Sequence, residues 1–121
     1  MKPAYSFFAN TKFALEGVCA LLKNEKSFRI ELLIILPALI LDCFLPLSLL
    51  EHLFLAFVLF MILIAEAINS AIEANVDLIT DSFHPKAKIA KDCASAAGFF
   101  SVIFAALSWG IFLIKLWLGI E

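Results

Sequence analysis

The chain has 121 residues, of which 64% are apolar and 17% charged, with a formal net charge of -2. That apolar share is well above the roughly 45–50% of a soluble domain, and a small protein has a large surface for its volume. A water-soluble domain covered by its own polar side chains is therefore excluded, and lipid must cover much of the chain. The length allows one domain, 1–121. The net charge says little about partners, and nucleic acid is not expected among them.

The three cysteines, Cys19, Cys43 and Cys93, are far apart and form no CxxC. They read as small apolar residues rather than a disulfide framework or a zinc site. No cleavable signal peptide is evident. Lys2, Lys12, Lys23, Lys26 and Arg29 are interleaved with acids, and no apolar run ends at a small-residue cleavage site.

Residues 5–22 predict an amphipathic helix lying on the membrane surface. Phe8, Leu15, Val18, Cys19 and Leu22 recur at helical spacing, with Lys12, Glu16 and Lys23 off that stripe. An ordinary buried helix is the alternative. After a break at Asn24 and Glu25, the first long apolar stretch runs over about 32–50, long enough for the roughly 30 Å hydrocarbon core. Pro37 is tolerable there, as in other membrane helices. Pro46 and Ser48 mark an end or turn, which puts Asp42 near the far interface.

Glu51 and His52 sit at that turn. Residues 53–65 then carry no polar side chain and pass without Gly or Pro into a polar segment, giving one helix over about 53–80. At 1.5 Å per residue it is roughly 40 Å long, so its last turns leave the bilayer core. Residues 81–92 predict a polar connection bent at His84-Pro85, because a residue before proline avoids helical geometry. A third span covers about 93–118. It opens on Ala94, Ser95, Ala96, Ala97 and Gly98, which permit close helix packing, and Trp109 and Trp117 are expected toward an interface.

Five of the nine Lys/Arg precede the first span, and Lys86, Lys88 and Lys91 lie between the second and third. Three spans place both basic segments on one side, which the positive-inside rule makes cytoplasmic. The N-terminus is then inside and the C-terminus outside.

The chemistry concentrates on Glu66, Asn69, Ser70, Glu73 and Asp77. Glu66 and Glu73 differ by about 20° around a helix axis, and Asp77 lies about 40° from Glu73, so the acids form one ridge. A carboxylate at the edge of an apolar run needs a partner or a proton. A polar packing seam, or a solvated extension, is the alternative. Glu25, Arg29 and Glu31 lie on the same side, with Lys91-Asp92 just before the third span. Carboxylates suit Mg²⁺, a lysine suits phosphate oxygens, and a carboxylate at the lipid boundary can take a proton from a lipid hydroxyl. These parts fit phosphoryl transfer. Gly17, Gly98, Gly110 and Gly119 form neither a GxxxxGK[ST] nor a GxGxxG loop, and no HRD or DFG signature occurs. His84 reads equally as a loop residue or a nucleotide contact.

The sequence resembles the prokaryotic diacylglycerol kinase family over about residues 5–118. Glu66, Asn69, Ser70, Ala71, Ile72, Glu73, Val76 and Asp77 match its E-x-x-N-[ST]-A-I-E-x-x-V-D signature. Ala90-Lys91-Asp92 with Ser95, Ala96 and Ala97 resembles its A-K-D-x-x-[SA]-A-[AG] element, and Asn24-Glu25 with Phe28-Arg29 its N-E-x-x-F-R element. The resemblance implies an all-α homotrimeric membrane bundle with one surface helix and three spans per subunit. It implies a site shared between neighbouring subunits at the cytoplasmic interface of the bacterial inner membrane. Glu66 would be the general base. Glu25 and Glu73 would hold the Mg²⁺ of Mg-ATP, and Lys91 and Asp92 would contact the nucleotide with Ser82, Phe83 and His84 near it. Asn69 and Ser95 would orient substrate or catalytic groups, with Arg29, Glu31 and Asp77 supporting.

Two departures stand out. Ser6 and Phe13 occupy the places of an Arg and a Tyr that the enterobacterial branch carries near the nucleotide. The 77–88 segment is closer to the Gram-positive branch, which favours undecaprenol. Diacylglycerol kinase is the leading expectation and undecaprenol kinase its neighbour. A small proton-coupled transporter and a structural membrane subunit are the rivals from other classes.

Overall fold

A computed structural model describes residues 6–119 as four helices: α1 (Phe7–Asn24), α2 (Lys26–Phe44), α3 (Leu49–Ile79) and α4 (Pro85–Leu118). The expected surface helix begins at residue 5, outside the described residues. α1 instead starts after Ser6, whose hydroxyl accepts the Ala9 amide at 3.4 Å as a helix N-cap. The residue standing in place of the enterobacterial Arg thus starts a helix. Among the described residues there is no strand.

α1 and α2 are separated by Glu25 alone, which has extended backbone. Arg29, one turn into α2, donates back to the carbonyls of Leu22 at 2.8 Å and Lys23 at 3.1 Å. It thereby satisfies carbonyls that the end of α1 would leave without partners.

The apolar stretch expected over 32–50 is not one element. α2 stops at Phe44 because Leu45 precedes Pro46 and takes extended angles. Ser48 then caps α3 in a reciprocal box: its hydroxyl accepts the Glu51 amide at 3.2 Å, and the Glu51 carboxylate accepts the Ser48 amide at 3.0 Å. Glu51 and His52 consequently lie inside α3 rather than at the turn. Ser48→Ala should destabilise the fold by about 1 kcal/mol, the usual value of such a cap. Thermal unfolding in detergent would show this as a lower midpoint, and an unchanged midpoint would count against the cap's contribution.

The connection between α3 and α4 is also shorter than expected. α4 begins at Pro85, whose fixed φ suits the first helical position, and His84 caps it by accepting the Lys86 amide on Nδ1 at 3.1 Å. Lys86, Lys88, Lys91 and Asp92 therefore project from helical turns.

α3 packs mainly on α4 and secondarily on α2. Ile35, Val58, Leu59, Ile62 and Ala105 form the core, with Ala38, Leu39, Leu63 and Trp109 against it. The Trp109 indole donates to the Leu55 carbonyl at 3.3 Å, whereas Trp117 is exposed. α3 and α4 are long and apolar enough to cross a membrane. α2 carries Lys26, Arg29, Glu31 and Asp42 in its 19 residues and falls outside that pair. The accessible surface is 8976 Å² for 13.4 kDa, against roughly 6,500 Å² for a compact soluble monomer of that mass. Much of the excess is apolar, including Phe99, Phe100, Ile103, Phe104 and Leu107 on α4. Such a surface demands lipid or other subunits.

At one end of the bundle a carboxylate–imidazole contact and an ion pair tie three helices. Asp42 of α2, 5% exposed, meets His52 Nδ1 of α3 at 2.9 Å. Glu51 of α3 accepts Lys115 of α4 at 2.8 Å.

Candidate active site

The other end of the bundle carries the acidic ridge. α3 continues past the apolar run because 66–79 contains no helix breaker, so Glu66, Asn69, Glu73 and Asp77 stay on one rigid element. Glu66 is buried, 8% exposed, and its Oε1 accepts the Ser27 hydroxyl of α2 at 2.7 Å. Glu31, one turn further along α2, is half-buried and close enough for its charge to repel that of Glu66. Its Oε2 is buried with no hydrogen-bond partner.

One turn on from Glu66, Asn69 Nδ2 donates to Glu73 Oε1 at 2.8 Å, which fixes the Glu73 carboxylate on the helix surface. Asn69 Oδ1 and Ser70 Oγ are buried without partners. At the end of α3, Asp77 accepts Lys91 Nζ of α4 at 2.7 Å, and Lys88 donates to Asp92 at 2.6 Å. Both pairs are substantially exposed.

Asp77, Ser82, Phe83, His84, Lys91 and Asp92 line one cleft of about 430 Å³ between the end of α3 and the start of α4. His84 is both cap and cleft wall. Because its Nδ1 accepts a backbone amide, the neutral ring carries its proton on Nε2.

Glu25 stands apart from this cleft. It lines an apolar groove of about 420 Å³ between α1 and α3, together with Ser70, Ala71 and Ala74. Arg29 is committed to the end of α1, and Ser95 lies exposed on α4. Among the described residues no three His, Cys, Asp or Glu side chains converge as a metal cage. Magnesium needs no such cage when it arrives on a nucleotide, since one or two carboxylates plus phosphate oxygens suffice. Glu25 and Glu73 match that requirement in chemistry as oxygen donors.

From Glu66 to Asp77 is eleven residues, or about 16 Å along the helix, and Glu73 lies about 10 Å from Glu66. A buried carboxylate at the apolar boundary is thus joined by one helix to a polar cleft lined by two lysines, Lys88 and Lys91, and three aspartates, Asp77, Asp81 and Asp92. Ser27 was not legible as part of this site, since it occupies a variable place in the N-E-x-x-F-R element. The spacing from Glu25 would put it near the membrane boundary, but only the packing of α2 on α3 aims it at Glu66.

Residues 12–113 match the prokaryotic diacylglycerol kinase family. The chain belongs to that family. It is 40% identical over 106 residues to the diacylglycerol kinase of Helicobacter pylori strain 26695, covering 88% of this chain and 83% of that one. It is 35% identical over 101 residues to the diacylglycerol kinase of Escherichia coli K12, covering 84% and 83%. It is also 35% identical over 111 residues to the undecaprenol kinase of Bacillus subtilis, covering 91% and 90%. As a member of this family the chain is a kinase. With its two long apolar helices it is a bacterial membrane protein. A transporter or a subunit without chemistry is set aside.

Proposed function

We propose that the chain transfers the γ-phosphoryl group of ATP to the primary hydroxyl of diacylglycerol, giving phosphatidic acid. The observation that carries this is the buried Glu66 carboxylate at the lipid boundary of a helix whose far end forms a lysine-bearing cleft. Glu66 takes the hydroxyl proton as the lipid oxygen attacks the γ-phosphorus and the bond to the ADP oxygen breaks. Lys91 exchanges part of its contact with Asp77 for phosphate oxygens, and Asp92, Ser82, Phe83 and His84 wall the nucleotide. Asn69 keeps Glu73 oriented, and Ser95 lies at the start of the third span. Glu25 and Glu73 would hold the Mg²⁺ of Mg-ATP, which supplies charge neutralisation on the phosphates. Arg29 supports the site by fixing the angle between α1 and α2, Asp77 by its contact with Lys91, and Glu31 by its charge beside Glu66.

α2 serves as the third span in this reading. Its charged start, 26–31, sits at the cytoplasmic boundary, and Asp42 has His52 as its hydrogen-bond partner at the far end. The basic side chains of α1, α2 and the start of α4 put the N-terminus and the site in the cytoplasm and the C-terminus outside. Three copies pack through the apolar α4 face as a homotrimer. Sharing of sites between subunits brings one chain's Glu25 to another's cleft.

The Bacillus relative supports undecaprenol as the second candidate lipid, since it covers more of this chain than the other two. Turnover with radiolabelled ATP in mixed micelles should label diacylglycerol faster than undecaprenol at equal mole fraction, and chelation of Mg²⁺ should stop both. Faster labelling of undecaprenol would reassign the substrate. Label on neither lipid would overturn the reading.

A further inference from the structure

We infer that Ser27 is a positioning residue for Glu66: its hydroxyl pins one carboxylate oxygen so that the other faces the lipid hydroxyl. This rests on the reading of Glu66 as the base. A glutamate side chain has three rotatable bonds, and a directional contact is what fixes where its carboxylate oxygens point. Ser27 supplies it: its Oγ donates to Glu66 Oε1 at 2.7 Å from the first turn of α2.

Ser27 itself is exposed while Glu66 is buried, so the hydroxyl reaches inward from the boundary to the carboxylate. The anchor is short and stiff. Ser27 has a single side-chain torsion, and its backbone is fixed by a helix whose Phe28 is 5% exposed and whose Arg29 is tied to α1. A hydroxyl donating to a carboxylate is a charge-assisted bond, stronger than a neutral one. With Oε1 so held, the proton from the substrate goes to Oε2. Without it, the carboxylate is free to rotate, and the oxygen spends less time in line with the attacking hydroxyl. Misplacement of a reacting group on this scale lowers the rate of the chemical step rather than substrate affinity.

The full-length enzyme in mixed micelles tests this with Ser27→Ala, Ser27→Thr and Glu66→Gln. The alanine variant should lose about ten- to a hundredfold in kcat, the range for a hydrogen bond to a charged group, with KM for ATP and diacylglycerol unchanged. The threonine variant retains the hydroxyl and should recover most of that loss. A helix-packing role for Ser27 would not give this rescue with unchanged KM. Alanine with normal kcat, or a loss confined to KM, overturns the positioning role while Glu66→Gln inactivity leaves the base in place. An active Glu66→Gln variant overturns the base, and the role of Ser27 with it.

Discussion

Glu66→Gln is expected to lower phosphoryl transfer by about 10²–10⁴-fold, the usual contribution of a general base. The substitution is nearly isosteric. The side-chain carbonyl of glutamine still accepts the Ser27 hydroxyl, which reaches Oε1 at 2.7 Å, so the contact with α2 and the folded state are retained. In the proposed mechanism, what is lost is the ability to take a proton from the lipid hydroxyl. The loss should therefore appear in kcat, with ATP binding by the distant cleft unchanged. Single-turnover measurements with labelled ATP, beside a nucleotide-binding titration, separate the two. Normal turnover in the glutamine variant would remove Glu66 from the chemistry and shift attention to Glu31 or Glu73.

The second large effect is on stability and comes from the opposite end of the bundle. His52→Leu leaves the buried Asp42 carboxylate, 5% exposed, without its 2.9 Å partner. Removing the hydrogen-bond partner of a buried carboxylate leaves it unsatisfied and costs about 1–3 kcal/mol. The variant should unfold at a clearly lower SDS mole fraction in mixed micelles. Adding Asp42→Leu removes the stranded carboxylate and should restore much of the loss, since apolar replacement of both members of a buried pair is often neutral. Turnover per folded molecule should stay near normal, because His52 lies fourteen residues, or about 21 Å along α3, from Glu66. Wild-type resistance of the single variant to SDS would show that the pair contributes nothing.

The existence of the long apolar helices and the polar ridge was legible in the sequence, because periodicity and run length follow from the solvent each face meets. Their ends were less so. The end of α2 depended on Leu45 preceding Pro46, and the start of α3 on a reciprocal cap between Ser48 and Glu51. At 81–92 the polar composition read as a loop, yet Pro85 opens a helix because polarity along the solvated first turns of a helix costs nothing. The residue type of Trp109 did not single out the Leu55 carbonyl as the partner of its indole.

For the site, the ridge on α3 was predictable from angular spacing, and the placing of Lys91 on the same side from the order of the spans. The pairing of Ser27 with Glu66 and of Arg29 with the end of α1 depends on how separate helices meet. No local pattern encodes those meetings.

The polar contacts at the Asp42 end have a mechanical consequence. Together with the Trp109 anchor they fasten α2, α3 and α4 beside the apolar core. Toward Glu66 the polar fastening thins, among the described residues, to a part-buried hydroxyl contact between α2 and α3 and the solvent-facing Lys91–Asp77 pair between α3 and α4. Cohesion therefore falls along the bundle axis, and local opening should be easiest where phosphoryl transfer occurs. The protein resembles a clothes peg, sprung at one end and yielding at the other. Amide exchange should trace that gradient, slowest around Leu55 and Val58 and quickest beyond Asp77. A lipid sliding sideways through the leaflet would then meet the compliant jaw, leaving the spring undisturbed from one catalytic cycle to the next.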